Sequence, residues 1–102
     1  MQPFLTARRE EIAALCRKHH VRRLAVFGSA ARDDFDPERS DVDVLVEFDP
    51  AAFGDYVQHY FDLRDGLETL FQRPVDLLRE GVVRNEFRLQ SMNQDRRELY
   101  AA

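Results

Sequence analysis

The sequence contains only one cysteine, Cys16, among its 102 residues. A single cysteine excludes an intramolecular disulfide framework and a metal site built from cysteines. Cys16 follows Leu15 within a helical pattern, where a small buried hydrophobic residue is expected. We therefore expect an intracellular protein with a buried, unreactive thiol.

Long hydrophobic runs are also missing. No apolar stretch approaches the ~20 residues that a membrane-spanning helix requires. The first residues, MQPFLTARREE, contain no apolar segment of the kind found in a secretory signal peptide. A signal peptide and a membrane span are therefore not expected, and the predicted location is cytoplasmic.

Positive charge is not in excess. The chain has 15 Lys and Arg against 19 Asp and Glu, a net charge of −4, with the two signs interleaved. Without a polybasic surface, bulk binding to a nucleic-acid backbone is not expected. The hydrophobic content of 44% is ordinary for a globular protein. Residues 1–102 are expected to form a single domain with a real core.

The apolar periodicity predicts the order helix, strand, strand, helix, strand, helix. The predicted helices are 6–20, 53–71 and 85–100; the predicted strands are 21–27, 41–48 and 75–78; residues 33–40 form a polar loop. Gly66 is expected to weaken the second helix near its end. This order predicts an α+β (mixed α/β) fold with a short mixed sheet flanked by helices.

Three aspartates occur in or beside predicted strands. Asp41 and Asp43 are two residues apart, so their side chains project to the same face at about 6.6 Å along the strand. Asp76 lies in the third strand. Carboxylates at this separation suit shared ligation of two Mg²⁺ ions about 3.5–4 Å apart. The pattern favours a metal site formed by the three aspartates.

A simpler interpretation exists for each aspartate. Asp41 could cap its strand as a loop residue, Asp43 could pair with an arginine, and Asp76 could face solvent at a sheet edge. Against this, Asp43 and Asp76 lie in apolar runs, from which carboxylates are usually excluded. A buried, unpaired carboxylate costs several kcal/mol unless a cation compensates it.

Gly28-Ser29 directly follows the first strand and has a phosphate-binding interpretation. Glycine allows close backbone approach, serine offers a hydroxyl, and the turn Ala30-Ala31-Arg32 is expected to point its N–H groups at an anion. The alternative is an ordinary strand-ending turn. Arg32 likewise fits either a triphosphate contact or a surface charge.

Taken together, these segments resemble the minimal nucleotidyltransferases, the MNT type, of the DNA polymerase beta-like superfamily. The matching segments are Phe27-Gly28-Ser29-Ala30-Ala31-Arg32, Ser40-Asp41-Val42-Asp43-Val44-Leu45-Val46 and Val75-Asp76-Leu77. The resemblance implies that Gly28 and Ser29, with Arg32 and Ser40, bind the nucleotide. It also implies that Asp41, Asp43 and Asp76 bind Mg²⁺. The specific part of the match is the combination of these aspartates with Gly-Ser.

The family mechanism is in-line attack of a hydroxyl on the α-phosphorus of ATP, with pyrophosphate leaving and two Mg²⁺ ions stabilising the charge. Asp76 is expected to help activate the attacking hydroxyl.

Two departures from the family pattern stand out. Residues 30–40 make the loop one residue longer than is common, and Asp33 stands where glycine is usual. The longer loop costs little, whereas an acid beside a triphosphate is unfavourable.

No motif in the sequence identifies the acceptor of the nucleotide. Members of this type are typically paired with a helical HEPN ribonuclease toxin, so the resemblance implies an antitoxin that attaches AMP to a toxin tyrosine. Two alternatives remain: a catalytically silent module that neutralises its partner by occlusion, and a nucleotidyltransferase that modifies a small molecule such as an antibiotic. The 26 residues after Asp76 are too few for a second, acceptor-binding domain.

Two further groups of residues have simple interpretations. Phe53, Tyr56, Tyr60 and Phe61 could contribute to a partner surface, but their helical spacing is more typical of a core. His19, His20 and His59 show no metal-ligand spacing and are expected to be surface or packing residues.

Overall fold

The computed structural model describes residues 1–32, 34–36, 38, 40–51, 54 and 56–102. Within them, helices alternate irregularly with the strands of one sheet. The helices are α1 (Pro3–Thr6), α2 (Arg9–Lys18), α3 (Tyr56–Phe71) and α4 (Glu86–Asp95); the strands are β1 (Val21–Phe27), β2 (Val42–Phe48), β3 (Val75–Arg79) and β4 (Arg97–Ala101); a 3₁₀ turn spans Gly28–Ala30.

The sheet has the strand order β3-β2-β1-β4. Strand β1 is antiparallel to both β2 and β4, whereas β2 and β3 are parallel. Parallel neighbours need a crossover connection, and α3 provides it. The predicted α+β fold with a short mixed sheet is therefore confirmed.

The two faces of the sheet bury different side chains because successive strand residues point to opposite sides. In β2, Val42, Val44 and Val46 belong to the larger core, which also includes buried residues of α2 and α3. Leu45 points the other way and packs in a second cluster with Phe27 and Met92 of α4. By the same alternation, Asp43 lies on the face that α4 covers.

The first two predicted helices are confirmed with shifted ends. The first begins at Arg9 rather than near Thr6, because the short α1 precedes it, and the second is described from Tyr56. Phe53 lies outside the described residues.

Cys16 is fully buried in the core, as predicted, and burial raises the pKa of its thiol to about 12. Among the described residues, no helix has the length and apolar character to cross a bilayer.

Gly66 does not weaken α3 visibly, since the helix continues through it to Phe71. A Cβ atom at residue 66 would lie 2.9 Å from Cδ2 of Leu15 on α2. The glycine therefore serves helix packing: its missing side chain leaves room for Leu15 between α2 and α3.

The prediction of one helix over 85–100 was wrong. Helix α4 ends at Asp95, and Arg97–Ala101 forms β4, antiparallel to β1. Only Leu99 of this edge strand is fully packed into the core. The backbone hydrogen bonds of β4 join it to β1, more than 70 residues earlier in the chain. No local hydrophobic pattern could indicate this pairing.

The three histidines lie together, although their spacing along the chain does not indicate it. Nδ1 of His19 is 3.0 Å from Nδ1 of His59, and the ring of His20 lies 5.0 Å from that of His59. His19 is buried, with 5% of its surface exposed. The packing role predicted for the histidines is confirmed for His19, with His59 as its hydrogen-bonding partner.

The aromatic residues of α3 divide between the two predicted roles. Tyr60 packs against the core, and its hydroxyl donates to the carbonyl of Leu77. Tyr56 packs edge-on against Phe48. Phe61 is 43% exposed, so the core interpretation was wrong for this residue.

Candidate active site

Asp43 and Asp76 are brought together by strand register. In the parallel pair formed by β2 and β3, Asp43 stands directly opposite Asp76. Residues opposite each other on neighbouring strands lie about 4.8 Å apart and point to the same face. Two carboxylates that are 33 residues apart in sequence therefore share one patch of the sheet, on the side where α4 packs.

Gly28 lies against the Asp43 carboxylate. Phe27, which ends β1, is the register partner of Asp43, so the next residue reaches the same patch. Gly28 has a φ of +66°, and a Cβ atom built on it would lie only 2.5 Å from Oδ2 of Asp43. A residue without a side chain is required here for two reasons: the left-handed backbone and the closeness of the carboxylate.

The electrostatics of Asp43 show that the three aspartates form one group. Burial, and after it the negative charges of Asp76 and Asp41, raise the pKa of Asp43 to about 6. Arg88 and Arg32 act in the opposite direction and lower it. The Asp43 carboxylate is therefore held in a half-buried, net negative environment, which is the condition in which a cation is bound favourably.

The burial of the aspartates corrects one premise of the sequence argument. Asp43 is half-buried, but the side chain of Asp76 is exposed on the edge strand β3, and Asp41 is exposed just before β2. The expectation that Asp76 is buried was therefore wrong, because an edge strand leaves its side chains accessible. Within the described residues, Asp43 forms no ion pair with an arginine.

The Gly-Ser turn closes on itself. The N–H groups of Ala31 and Arg32 both donate to the carbonyl of Gly28, at 3.1 and 3.2 Å. The prediction that these two groups point at an anion was therefore wrong. The N–H groups of Ser29 and Ala30 lie at the start of the turn, where a helix leaves its N–H groups without intrahelical hydrogen-bond partners. Both residues follow Gly28, which lies against the Asp43 carboxylate.

Arg32 and Ser40 are engaged within the protein. The Arg32 guanidinium donates from Nε and Nη2 to the two carboxylate oxygens of Asp34, at 3.0 and 3.2 Å, and from Nη1 to Asp95 at the end of α4. These hydrogen bonds, the one to Asp34 first, raise the pKa of Arg32. The Ser40 hydroxyl accepts from the N–H of Asp36 and closes the loop before β2.

The donor set fits a hard divalent cation better than a soft one. Asp41, Asp43 and Asp76 offer only carboxylate oxygens, which Mg²⁺ prefers. In the described part of the chain, the side chains as placed do not form a finished metal-binding group of three or more His, Cys, Asp or Glu residues. Asp41 and Asp76 are exposed and can rotate toward Asp43, whose charge has no paired cation of its own.

Sequence reasoning missed two residues near this site. Arg88, in the first turn of α4, is close enough to lower the pKa of Asp43, and Asp95, in its last turn, binds Arg32. Neither carries a motif. Only the packing of α4 across the sheet, through Met92, brings them to the aspartates.

Comparison with known proteins places the chain in a family. The model of the nucleotidyltransferase domain matches residues 9–100. A Methanocaldococcus jannaschii protein named as a candidate protein adenylyltransferase is 38% identical over 78 residues, which cover 76% of each chain. A second protein of that organism with the same designation is 33% identical, also over 78 residues and 76% of each chain.

This chain belongs to the nucleotidyltransferase domain family. The nucleotidyltransferase is also similar to a solved structure named as a candidate minimal nucleotidyltransferase, with 34% identity, a TM-score of 0.72, and coverage of 91% of this chain and 92% of the other. It shares its fold with the MNT antitoxin in a complex with a tri-AMPylated HEPN toxin from Shewanella oneidensis. That match has 18% identity and a TM-score of 0.63, and covers 96% of this chain and 73% of the other.

Proposed function

We propose that this nucleotidyltransferase transfers AMP from ATP to the hydroxyl of a tyrosine on a cognate HEPN-type helical toxin, and acts in the cytoplasm as its antitoxin. The observation that carries the proposal is the register of Asp43 with Asp76 beside Gly28. It joins the carboxylates and the Gly-Ser turn, which are far apart in sequence, in one accessible patch.

Each part of the patch has a role in this proposal. The turn at Gly28 and Ser29 lets the triphosphate approach the backbone closely, and Asp41, Asp43 and Asp76 would hold Mg²⁺. Bound Mg²⁺ supplies positive charge that stabilises the phosphate oxygens as charge develops on them. Its binding also relieves the mutual repulsion that raises the pKa of Asp43.

The reaction requires a position for the acceptor and a destination for its proton. The tyrosine oxygen attacks the α-phosphorus, a new P–O bond forms, and the bond from that phosphorus to the bridging oxygen of pyrophosphate breaks. Asp76, to which the family resemblance gives this role, receives the hydroxyl proton, and its side chain is exposed on the edge strand. The edge position leaves an opening through which a large acceptor can approach.

The relatives support a protein acceptor. The two archaeal proteins are named for protein adenylyl transfer, and a structure with the same fold is an antitoxin bound to an AMPylated toxin. Another structure with this fold, at 20% identity and a TM-score of 0.63, contains AMP-PNP; it covers 92% of this chain and 73% of the other. ATP as the nucleotide is inferred from these neighbours, whereas tyrosine as the acceptor is inferred from the resemblance to minimal nucleotidyltransferases.

Intact-mass spectrometry of the toxin partner tests the proposal. The protein encoded by the adjacent gene, which is the proposed HEPN-type partner, is incubated with the wild-type chain, ATP and Mg²⁺, and in parallel with the Asp41→Asn/Asp43→Asn double variant. We expect additions the size of one adenylate with the wild-type chain and none with the double variant. Asp65→Asn is the control for removing a carboxylate outside the site, because Asp65 is an exposed residue of α3, on the opposite face of the sheet.

Two outcomes would contradict the proposal. A stable complex with no change in mass would favour neutralisation by occlusion alone. Equal labelling by the wild type and the double variant would show that Asp41 and Asp43 are not required. Peptide mapping of a labelled toxin then tests the tyrosine assignment separately from the transfer itself.

A further inference from the structure

Two arginines lie close enough to Asp43 to lower its pKa, but their surroundings differ. Arg32 already has two carboxylate partners: Asp34 engages its Nε and Nη2, and Asp95 accepts from its Nη1. A guanidinium offers five N–H donors in a fixed fork, and this arrangement occupies all three of its nitrogens. Its charge is thus compensated twice within the protein.

The side chain of Arg88 differs from that of Arg32 in this respect. Its backbone N–H donates to the side chain of Asn85, the N-cap of α4, at 3.1 Å, which fixes the first turn of the helix. Its side chain is exposed, and in the described part of the chain its guanidinium makes no hydrogen bond or ion pair. Among the described residues, Arg88 is therefore a cation without a carboxylate partner, and its charge acts on Asp43.

The packing of α4 explains why Arg88 faces the site. Arg88 precedes Met92 by four residues, so the two side chains lie on the same side of the helix, with Cβ atoms about 5–6 Å apart. Met92 is buried against Phe27 and Leu45. Phe27 is the register partner of Asp43. Arg88 lies one helical turn before Met92 and is therefore placed near the aspartates.

Arg32 holds the other end of the same helix. Asp95 is the last residue of α4, and its carboxylate accepts from Arg32, two residues beyond the Gly28–Ala30 turn. The pair ties the end of α4 to the turn, and the buried Met92 ties its middle to the sheet. The orientation of the helix, and hence the position of Arg88, depends on both contacts.

We propose that Arg88 is the side-chain cation that binds the β- and γ-phosphates of the nucleotide, and that Arg32 is a positioning residue that orients α4 through Asp95. This inference rests on the proposed function, since it concerns the same nucleotide site. It reverses the role that sequence resemblance implies for Arg32. A guanidinium suits the task because its planar fork binds phosphate oxygens with two parallel hydrogen bonds.

Isothermal titration calorimetry with two nucleotides tests the assignment. The probes are α,β-methylene-ATP, which cannot transfer AMP, and AMP, which lacks the β- and γ-phosphates; both are titrated with Mg²⁺ present. For Arg88→Gln we expect the Kd of the triphosphate analogue to rise at least about tenfold while the Kd of AMP changes little. Arg88→Lys should recover part of the loss, because it keeps the charge without the fork.

Arg32→Gln and Asp95→Asn serve as the matched pair for the positioning role. Both remove the same contact, so we expect both to weaken binding of the analogue to a similar, smaller degree and to lower the melting temperature. Arg17→Gln on α2 is the neutral control, because this exposed residue lies on the far side of the sheet. Arg88→Gln should keep the melting temperature of the wild type.

The results separate this inference from the function on which it rests. If the wild type binds the analogue and Arg88→Gln binds it equally well, the role of Arg88 is refuted and the proposed function stands. If Arg32→Gln loses binding and Asp95→Asn does not, Arg32 contacts the phosphates directly and the assignment is reversed. An equal loss of AMP and analogue binding in Arg88→Gln would refute the specific contact with the β- and γ-phosphates. If the wild type binds no nucleotide, both proposals fail.

Discussion

Asp43 and Asp76 are register partners in the parallel pair of β2 and β3, and this pairing, rather than proximity in sequence, creates the candidate site. Asp43 is half-buried and Asp76 is exposed. The inner carboxylate lies against Gly28, whereas the outer one is accessible to solvent.

Replacing Asp43 with Asn should stabilise the metal-free protein near neutral pH. Burial, then Asp76 and Asp41, raise the pKa of Asp43 from 3.8 to about 6 in the folded protein. The folded state therefore binds this proton more tightly than the unfolded chain. The resulting stabilisation is complete below pH 3.8 and is lost as the pH rises through about 6.

At about pH 7.5 in EDTA, we expect Asp43→Asn to raise the free energy of unfolding by about 1 kcal/mol, a value reduced for the partial exposure of the group. Near pH 4 the gain should disappear, because the wild-type carboxyl is then protonated. Urea unfolding at both pH values measures the effect. A loss of folding in Asp43→Asn, or a gain of the same size in Asp65→Asn, would contradict it.

Gly28→Ala should abolish nucleotidyl transfer and destabilise the fold. The backbone at Gly28 has a φ of +66°, which costs a residue with a side chain about 1 kcal/mol or more, and the new Cβ would lie 2.5 Å from Asp43 Oδ2. Gly81→Ala is the matched control: its φ is +87°, but nothing lies within 4 Å of its Cβ position. Thermal unfolding and the transfer assay should show a similar backbone cost in both variants, and loss of activity only in Gly28→Ala.

The His19–His59 pair should make stability fall in mild acid. Burial lowers the pKa of His19 from 6.5; the positive charges of His59, Lys18 and His20 add to this effect, and Asp62 opposes it. The folded protein therefore favours the neutral ring, so the stabilisation is present above pH 6.5 and is lost as the pH falls below it.

Replacing His19 with Gln removes the titrating ring while keeping a side chain that can form hydrogen bonds. We expect the melting temperature of His19→Gln to change less than that of the wild type between about pH 7.5 and 5.5. The comparison is made in the Asp43→Asn background, which removes the opposing effect of Asp43 over the same range. Identical pH profiles with and without His19 would show that the pair does not contribute.

Leu99→Ala tests whether β4 is an integral strand. Leu99 is 4% exposed and belongs to the larger core, so its truncation should cost about 2–4 kcal/mol. Phe87→Ala is the control: it removes a larger side chain that is 84% exposed, and it should cost far less. Denaturant unfolding measures both. A cost below about 0.5 kcal/mol for Leu99→Ala would mean that the strand is not packed in solution.

The sequence predicted the elements whose signals are local. Val21–Phe27 was predicted as a strand with the bounds that the structure has, because a continuous apolar run stopped by Gly28-Ser29 is a strong local pattern. Asp43 and Asp76 are candidates because they lie within apolar runs, and the Gly-Ser pair is a candidate because it directly follows one. The resemblance to minimal nucleotidyltransferases joined them into one hypothesis.

The sequence by itself therefore determined the fold class, the family and the residues that carry the motif, since each depends on residue type and short-range spacing. Only the tertiary structure decided which residues surround the motif. Register set Asp76 opposite Asp43, pairing with β1 made a strand of Arg97–Ala101, and the packing of Met92 brought Arg88 to the site. These contacts join distant segments, and their free energy comes from burial and hydrogen bonding that exist only once the chain has folded.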